Sequence, residues 1–403
     1  MKILILTHKP PVPPIDGGCV AMKNCADMLL ELGYDVHIVS MATYKHPFVK
    51  SPLHNAFISK TQLKAVNINT KLSSKEAVKN LLTNNSYVLS RFNSVEFSKK
   101  ISLLLQSNTY DIVWFESLFT STYINIVRQH SKAICVYRSH NIEHNLWADK
   151  VKAESNFLKI KYLKLQYNRL KKEEETVAKN FDAFVCISPQ EVEYFSKLGV
   201  DEDRILNLPF SINPSLQVQR KTPTSNFLHL GYIGALDWEP NSEALQWFLQ
   251  NVWPEIKHLP IQFSIAGKNS LRFGEKLKSD KIEVLGEVES AKAFMQSIDL
   301  LIVPLFKASG IRIKVLEAFS VGLAVLASDI AMQGLIDGYK ECSLLAQTKE
   351  DFVQQIHKLV DDKSQLGEMS KKAITYIENN YAIEKLQQSL QLFLNHLHDG
   401  KQG

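Results

Sequence analysis

Two series of short apolar runs, each run followed by a helical pattern, constrain this 403-residue chain most. The first opens at ILIL (3–6) and breaks at a Pro/Gly-rich loop, KPPVPPIDGG (9–18). A helical pattern follows, VAMKNCADMLLELG (20–33), and then a second run, DVHIVSM (35–41). Strand, loop, helix, strand is the repeating unit of a parallel sheet. DIVWF (111–115), AICVYR (133–138) and DAFVCIS (182–188) continue the series, and the longest helical pattern runs from about Asn145 to Lys179. Residues 207–226 have Pro, Ser, Asn and Thr without periodicity and read as a linker. A second series follows: FLHLGYIG (227–234), IQFSIAG (261–267), KIEVLG (281–286), DLLIVPL (299–305), LAVLAS (323–328) and CSLLAQ (342–347). An amphipathic stretch, YAIEKLQQSLQLFLNHL (381–397), closes it. The expected fold is α/β: two Rossmann-like doubly wound parallel-sheet domains facing across a cleft, with ligands beyond the carboxyl ends of the strands.

Composition narrows the class. Hydrophobic residues make up 45% and charged residues 22%, which suits two packed cores and excludes a disordered chain. The net charge of +5 is mild; it serves solubility or a weak attraction to phosphorylated ligands or anionic lipid, and nucleic acid is not an expected partner. Five scattered cysteines without a C-x-x-C pair point to a reducing compartment. The apolar run after Met1 is too short for a signal peptide, and no run reaches the roughly 18 residues of a membrane span. The expected location is the cytoplasm.

Three strand ends carry candidate chemistry. After the first strand, Asp16-Gly17-Gly18 opens a helix, either as a plain turn or as a site where backbone approaches a phosphate or sugar. After AICVYR comes SHNIEH. Its His140, Glu143 and His144 match the H-x-x-E-H spacing of inverted zinc peptidases. That chemistry needs both histidines on one continuous helix, whereas His140 falls in a strand-to-helix loop. His140 is therefore expected to touch a sugar or phosphate, and His144 to be a surface or packing residue. The third end lies in DLLIVPLFKASGIRIKVLEAFSVGLAVLAS (299–328). If a helix begins near Gly310, then Gly310, Lys314 and Glu317 share one face. N–H groups at Ser309, Gly310 and Ile311 then meet phosphate oxygens, and Arg312 or Lys314 neutralises a leaving diphosphate. Glu317 accepts both ribose hydroxyls. The alternative is an ordinary amphipathic helix with a solvated Lys–Glu pair.

PPIDGG (13–18), RSHNIEHNLW (138–147), DAFVCIS, YIGALDWEPNSEALQWFLQNVWPEI (232–256), FSIAGK (263–268) and PLFKASGIRIKVLEAFSVGLAVLAS (304–328) occur in this order. In them the chain resembles the retaining glycosyltransferases of the GT-B fold, family 4 type. The resemblance implies a hexosyltransferase that moves a sugar from a nucleotide-sugar donor to a glycan or lipid-linked acceptor in cell-surface polysaccharide, lipopolysaccharide or glycolipid synthesis. It implies an N-terminal acceptor domain over 1–208, a donor domain over 209–375, and a terminal helix over 376–403 that crosses back. It puts Gly17 and Gly18 against diphosphate and acceptor, His140 on the transferred sugar, and Glu317 on the ribose. Ser309, Gly310 and Ile311 hold the diphosphate and donor sugar, and the base lies near Lys268. No cofactor or metal is implied; the leaving phosphate itself helps to take the acceptor's proton. Two departures stand out. The first glutamate of the family's E-x7-E motif is Ser309 here. The stretch ALDWEPN lacks the expected Arg and Lys, for which Arg312, Lys314 or Lys268 would substitute. A GT-B sugar-nucleotide epimerase and a catalytically silent nucleotide-sugar-binding protein are the alternatives. Segment 150–172 is basic with interleaved apolar residues, a pattern of a solvated helix face or of peripheral contact with the inner face of a membrane.

Overall fold

The computed structural model describes residues 1–212, 225–274, 281–307 and 310–402. The chain divides into two compact units, Met1–Phe210 with Leu386–Gly403, and Ser211–Lys385. The division falls two residues beyond the expected border at 208.

The first unit is built on a seven-stranded sheet: β1 (Lys2–Thr7), β2 (Asp35–Ala42), β3 (Lys64–Asn67), β4 (Ile112–Glu116), β5 (Ile134–Ser139), β6 (Ala183–Cys186) and β7 (Ile205–Asn207). The order is β3-β2-β1-β4-β5-β6-β7, parallel throughout. The central strands are buried along nearly their whole length, which is why they read as unbroken apolar runs. The edge strands β3 and β7 are short and half-exposed, so no such run announced them. Four helices of this unit bear on function: α1 (Gly17–Glu31), α2 (Ser74–Leu81), α3 (Glu143–Ala153) and α4 (Phe157–Asn180). The expected single helix from Asn145 to Lys179 is thus two. At the break, Glu154 accepts from the N–H of Ser155 and Asn156, and Asn156 caps α4 through Leu158 and Lys159 N–H. Such side-chain bonds compete with a continuous helix ladder.

The second unit has six parallel strands: β8 (Leu228–Ile233), β9 (Ile261–Ala266), β10 (Ile282–Gly286), β11 (Leu300–Val303), β12 (Ala324–Ala327) and β13 (Ser343–Leu345). They are ordered β10-β9-β8-β11-β12-β13. Alternate residues of β11 and β12 feed two core clusters, one on each face of this sheet. Helix α5 (Ile313–Ser320) follows β11. The last helix, α6 (Ile383–Gln402), belongs to the first unit from Leu386 onward, and its Gln387 donates to Glu31 at the end of α1 at 2.6 Å.

Each sheet reverses its winding once, between β1 and β4 and between β8 and β11. Such switch points leave a crevice at the strands' carboxyl ends, where ligands of open α/β sheets sit.

Candidate active site

At the switch point of the first unit, β4 ends on Glu116, fully buried after four apolar residues. Its carboxylate accepts from Arg138 Nη1 at 3.1 and 3.2 Å, from Trp114 Nε1 at 3.1 Å, and from His140 Nε2 at 2.5 Å. Burial pushes the Glu116 carboxyl up, but Arg138 and His140 outweigh it and hold it well below the carboxylate range. Burial likewise lowers His140, outweighing Glu116, and keeps its imidazole neutral. Because a carboxylate only accepts, the His140 proton sits on Nε2 and Nδ1 is left as an acceptor. His8, one residue beyond β1, donates from Nδ1 to the Glu116 carbonyl at 3.3 Å and lies 2.8 Å from Ser117 Oγ. Burial and then Lys9 push it down to about 3. Ser117 holds φ 77° and ψ 165°, a region that is almost exclusively glycine's. Strain of this kind is retained where the surrounding structure has a use for it.

Beside this cluster, Asp16 caps α1 through Cys19 N–H at 2.8 Å. Lys9 Nζ contacts both Asp16 oxygens at 2.8 Å, and His46 Nε2 donates to Oδ2 at 2.9 Å. A Cβ added at Gly18 would meet Lys9 Nζ at 2.7 Å. Gly17 and Gly18 thus open a helix end that already holds a carboxylate and an ammonium. Ligand atoms of Asp16, Cys19 and His46 lie within 4.8 Å of one another. The Lys9 ammonium on Asp16 and a Cys19 thiol pushed up by burial to about 11 both oppose a metal there.

The H-x-x-E-H residues separate. His140 is committed to Glu116, whereas His144 Nδ1 donates to Glu174 on α4 at 2.6 Å. The same Glu174 carboxylate accepts the N–H of Glu143 at 2.8 Å and of His144 at 3.1 Å, so it caps α3 from outside. His144 is a buried packing residue.

In the second unit, three glycines follow or end neighbouring strands: Gly234 after β8, Gly267 after β9, and Gly286 at the end of β10. Gly267 has φ 121°, and a Cβ there would lie 2.1 Å from the Gly234 carbonyl oxygen. Across the switch point, Lys314 reaches over Gly234. Its Nζ donates to the Ile233 carbonyl at 3.2 Å and to Asn241 Oδ1 at 3.0 Å, and sits 4.8 Å from the centre of the Tyr232 ring. Tyr232 OH and Asn241 Nδ2 donate to Asn241 O and Ala235 O, which fixes this platform. Burial, then the Arg312 charge, brings Lys314 down to about 7, and burial brings Arg312 to about 10. Glu317 is half-buried and its carboxyl is raised by that burial. Lys268 is exposed and pairs with Asp237 at 2.8 Å.

The expected helix start at Gly310 is corrected. Gly310 has φ 76°, which a helix cannot accept, and α5 begins at Ile313 with Arg312 as its cap. Gly310 therefore does not share a helix face with Lys314 and Glu317. Gly310 and Ile311 precede the helix, so their N–H groups are not part of its first turn. Ser309 lies outside the described residues. The sequence reading missed His8, Glu116 and Ser117. The available signal was a carboxylate ending a wholly apolar strand beside the β1/β4 switch.

Residues 228–362 match the family described as glycosyl transferases group 1. An uncharacterized 44.6 kDa protein in the cps region of Klebsiella pneumoniae is 21% identical over 96% of this chain and 98% of its own. Three solved structures show the same fold. Sucrose-phosphate synthase from Thermosynechococcus elongatus has a TM-score of 0.68 and 14% identity, covering 99% of this chain and 100% of its own. Anabaena HepE in complex with UDP-glucose has 0.60 and 12%, covering 98% and 100%. WaaG, a glycosyltransferase involved in lipopolysaccharide biosynthesis, has 0.61 and 15%, covering 96% and 98%. The glycosyl transferases group 1 match thus falls within the second unit, and the chain as a whole shares the GT-B architecture of these structures.

Proposed function

We propose that the chain is a retaining, family 4 type glycosyltransferase that moves a sugar from a nucleotide-sugar donor to a glycan or lipid-linked acceptor in cell-surface polysaccharide or glycolipid synthesis. The observation that carries this is the half-buried Lys314 ammonium at the β8/β11 switch point, with the buried Arg312 beside it and a wall of glycines before it. A leaving diphosphate gains charge, and fixed cations in a water-poor site stabilise it without reorganisation. In this reading Lys314 and Arg312 meet the diphosphate, together with Gly310 and Ile311. Glu317 holds the ribose, Lys268 borders the base, and no metal or cofactor takes part. The neutral His140, its proton held by Glu116, accepts a hydroxyl of the transferred sugar. The match to WaaG, involved in lipopolysaccharide biosynthesis, supports a cell-surface glycan pathway, and the match to HepE in complex with UDP-glucose supports UDP as the first nucleotide to test.

Peripheral contact with the cytoplasmic face of a membrane belongs to the same proposal. It is supported by Leu72, Leu82 and Leu158, which are 75%, 92% and 75% exposed on a unit rich in lysine. No helix among the described residues is long and apolar enough to cross a membrane.

Thermal unfolding against UDP, GDP, ADP and their common sugars tests the donor. A ligand at about 100 times its dissociation constant adds roughly 2.7 kcal/mol, so one base should raise the melting temperature clearly. If none shifts it, nucleotide-sugar binding is rejected.

A further inference from the structure

The first unit holds a cavity of about 530 Å³ that none of the residues above uses. It lies in the segment that follows β3, between the turn at Asn69, helix α2 and the chain up to Asn93. Its size is that of a ligand site rather than of a packing defect. Its described lining has no aliphatic side chain. Asn69, Asn80, Asn85 and Asn93 line it with Ser73, Ser90 and Tyr87, and Asn85 and Asn93 are exposed. Amides and hydroxyls both donate and accept, as sugar hydroxyls do.

The cavity also carries unbalanced charge. Of its cations, Lys79 is paired with the one lining carboxylate, Glu76, at 3.0 Å. Lys71 is exposed, and among the described residues its ammonium meets only the face of Tyr44, 5.9 Å away. Arg91 Nη1 donates to the Thr70 carbonyl at 2.9 Å, but its Nε is buried without a hydrogen-bond partner among the described residues. Lys150 on α3 feels Arg91 and Lys45 as like charges. The carboxyl acting on Lys150, Glu143, is pushed by burial and Glu174 up to about 8, so it supplies little negative charge at neutral pH. A polar cavity whose lining holds two cations, Lys71 and Arg91, with no paired carboxylate among the described residues is complementary to an anionic, hydroxyl-rich molecule.

We propose that this cavity binds an anionic stretch of glycan, a sugar bearing a carboxylate or a phosphate, with Lys71 and Arg91 on the anion and the amides on the hydroxyls. Its place in the reaction, as the acceptor's subsite, rests on the glycosyltransferase reading; binding itself does not.

Isothermal titration of the full chain decides it. The probes are a tetrasaccharide of alternating glucuronate and N-acetylglucosamine, the neutral N-acetylglucosamine tetramer, and inorganic phosphate. The acidic tetrasaccharide should bind at least about tenfold more tightly than the neutral one. Lys71→Glu should abolish that preference, and Lys132→Glu, before β5 at the opposite end of the sheet, should leave it intact. Lys71 is exposed, so its variant should fold; an unchanged melting temperature confirms this. Arg91→Gln should weaken binding of the same probe. Competition by phosphate assigns the anion as phosphate, and its failure to compete assigns it as carboxylate. Equal binding of both tetrasaccharides, no binding of either acidic probe, or an indifferent Lys71→Glu overturns the proposal. Nucleotide stabilisation without acidic-glycan binding sinks this inference alone. Acidic-glycan binding without any nucleotide effect sinks the donor reading alone.

Discussion

Lys314 is a single ammonium held in a place that half removes its charge. Its nearest polar partners are a carbonyl and an amide, and the next charge is a guanidinium, so burial and Arg312 together bring it to about 7. A bound diphosphate would reverse this and favour the charged form. Above pH 7 the free protein must therefore take up a proton to bind, and that contribution weakens by up to about tenfold per pH unit. We expect UDP affinity, measured by titration from pH 6 to 8.5, to fall with pH relative to Lys314→Met, whose own profile reports only the nucleotide's titration. Identical profiles would take Lys314 out of the diphosphate site. Gly267 makes a second demand at the same scale. A methyl group there would stand 2.1 Å from a main-chain oxygen at a left-handed φ. Gly267→Ala should cost about 3 kcal/mol or more in urea unfolding. The charges at 312, 314 and 317 were legible in the sequence. The depressed Lys314 was not, because its platform, Tyr232 and Asn241, lies more than seventy residues away.

At the scale of elements, α3 is held at its start by a carboxylate from α4. Glu174 accepts two of the helix's orphan N–H groups and the His144 ring. Glu174→Gln keeps one accepting oxygen and should cost about 1–2 kcal/mol, seen as a lower denaturant midpoint. The same carboxylate, after burial, raises Glu143 to about 8. The unfolded chain releases this proton near 4.5, so the folded state loses stability as pH rises from there through 8. Glu143→Gln should therefore gain on the wild type between pH 5 and 8; a constant difference in melting temperature would reject this. The alternation of apolar runs and helical patterns revealed the central strands of both sheets. It could not place the start of α5, which turns on one left-handed glycine. Nor could it show why SHNIEH is not a metal motif. The partners of its histidines, Glu116 and Glu174, stand 24 residues before one and 30 after the other.

At the scale of the molecule, two units with separate cores should not melt as one two-state system. Calorimetry is expected to give an enthalpy above the van't Hoff value, and UDP to move only the part of the trace that Gly267→Ala also moves. A single transition of equal enthalpies would argue for full coupling of the units.

The order of synthesis adds a consequence. Leu386–Gly403 complete the first unit, yet the ribosome makes them only after Ser211–Lys385, the whole of the second. Those 175 intervening residues (211–385) take roughly 9–35 s at about 5–20 residues per second. Throughout that interval the nascent first unit lacks α6. The pocket that His396 and Leu397 line with Arg128 and Asp182 stands without its α6 wall until then, and C-terminal truncation would leave it so.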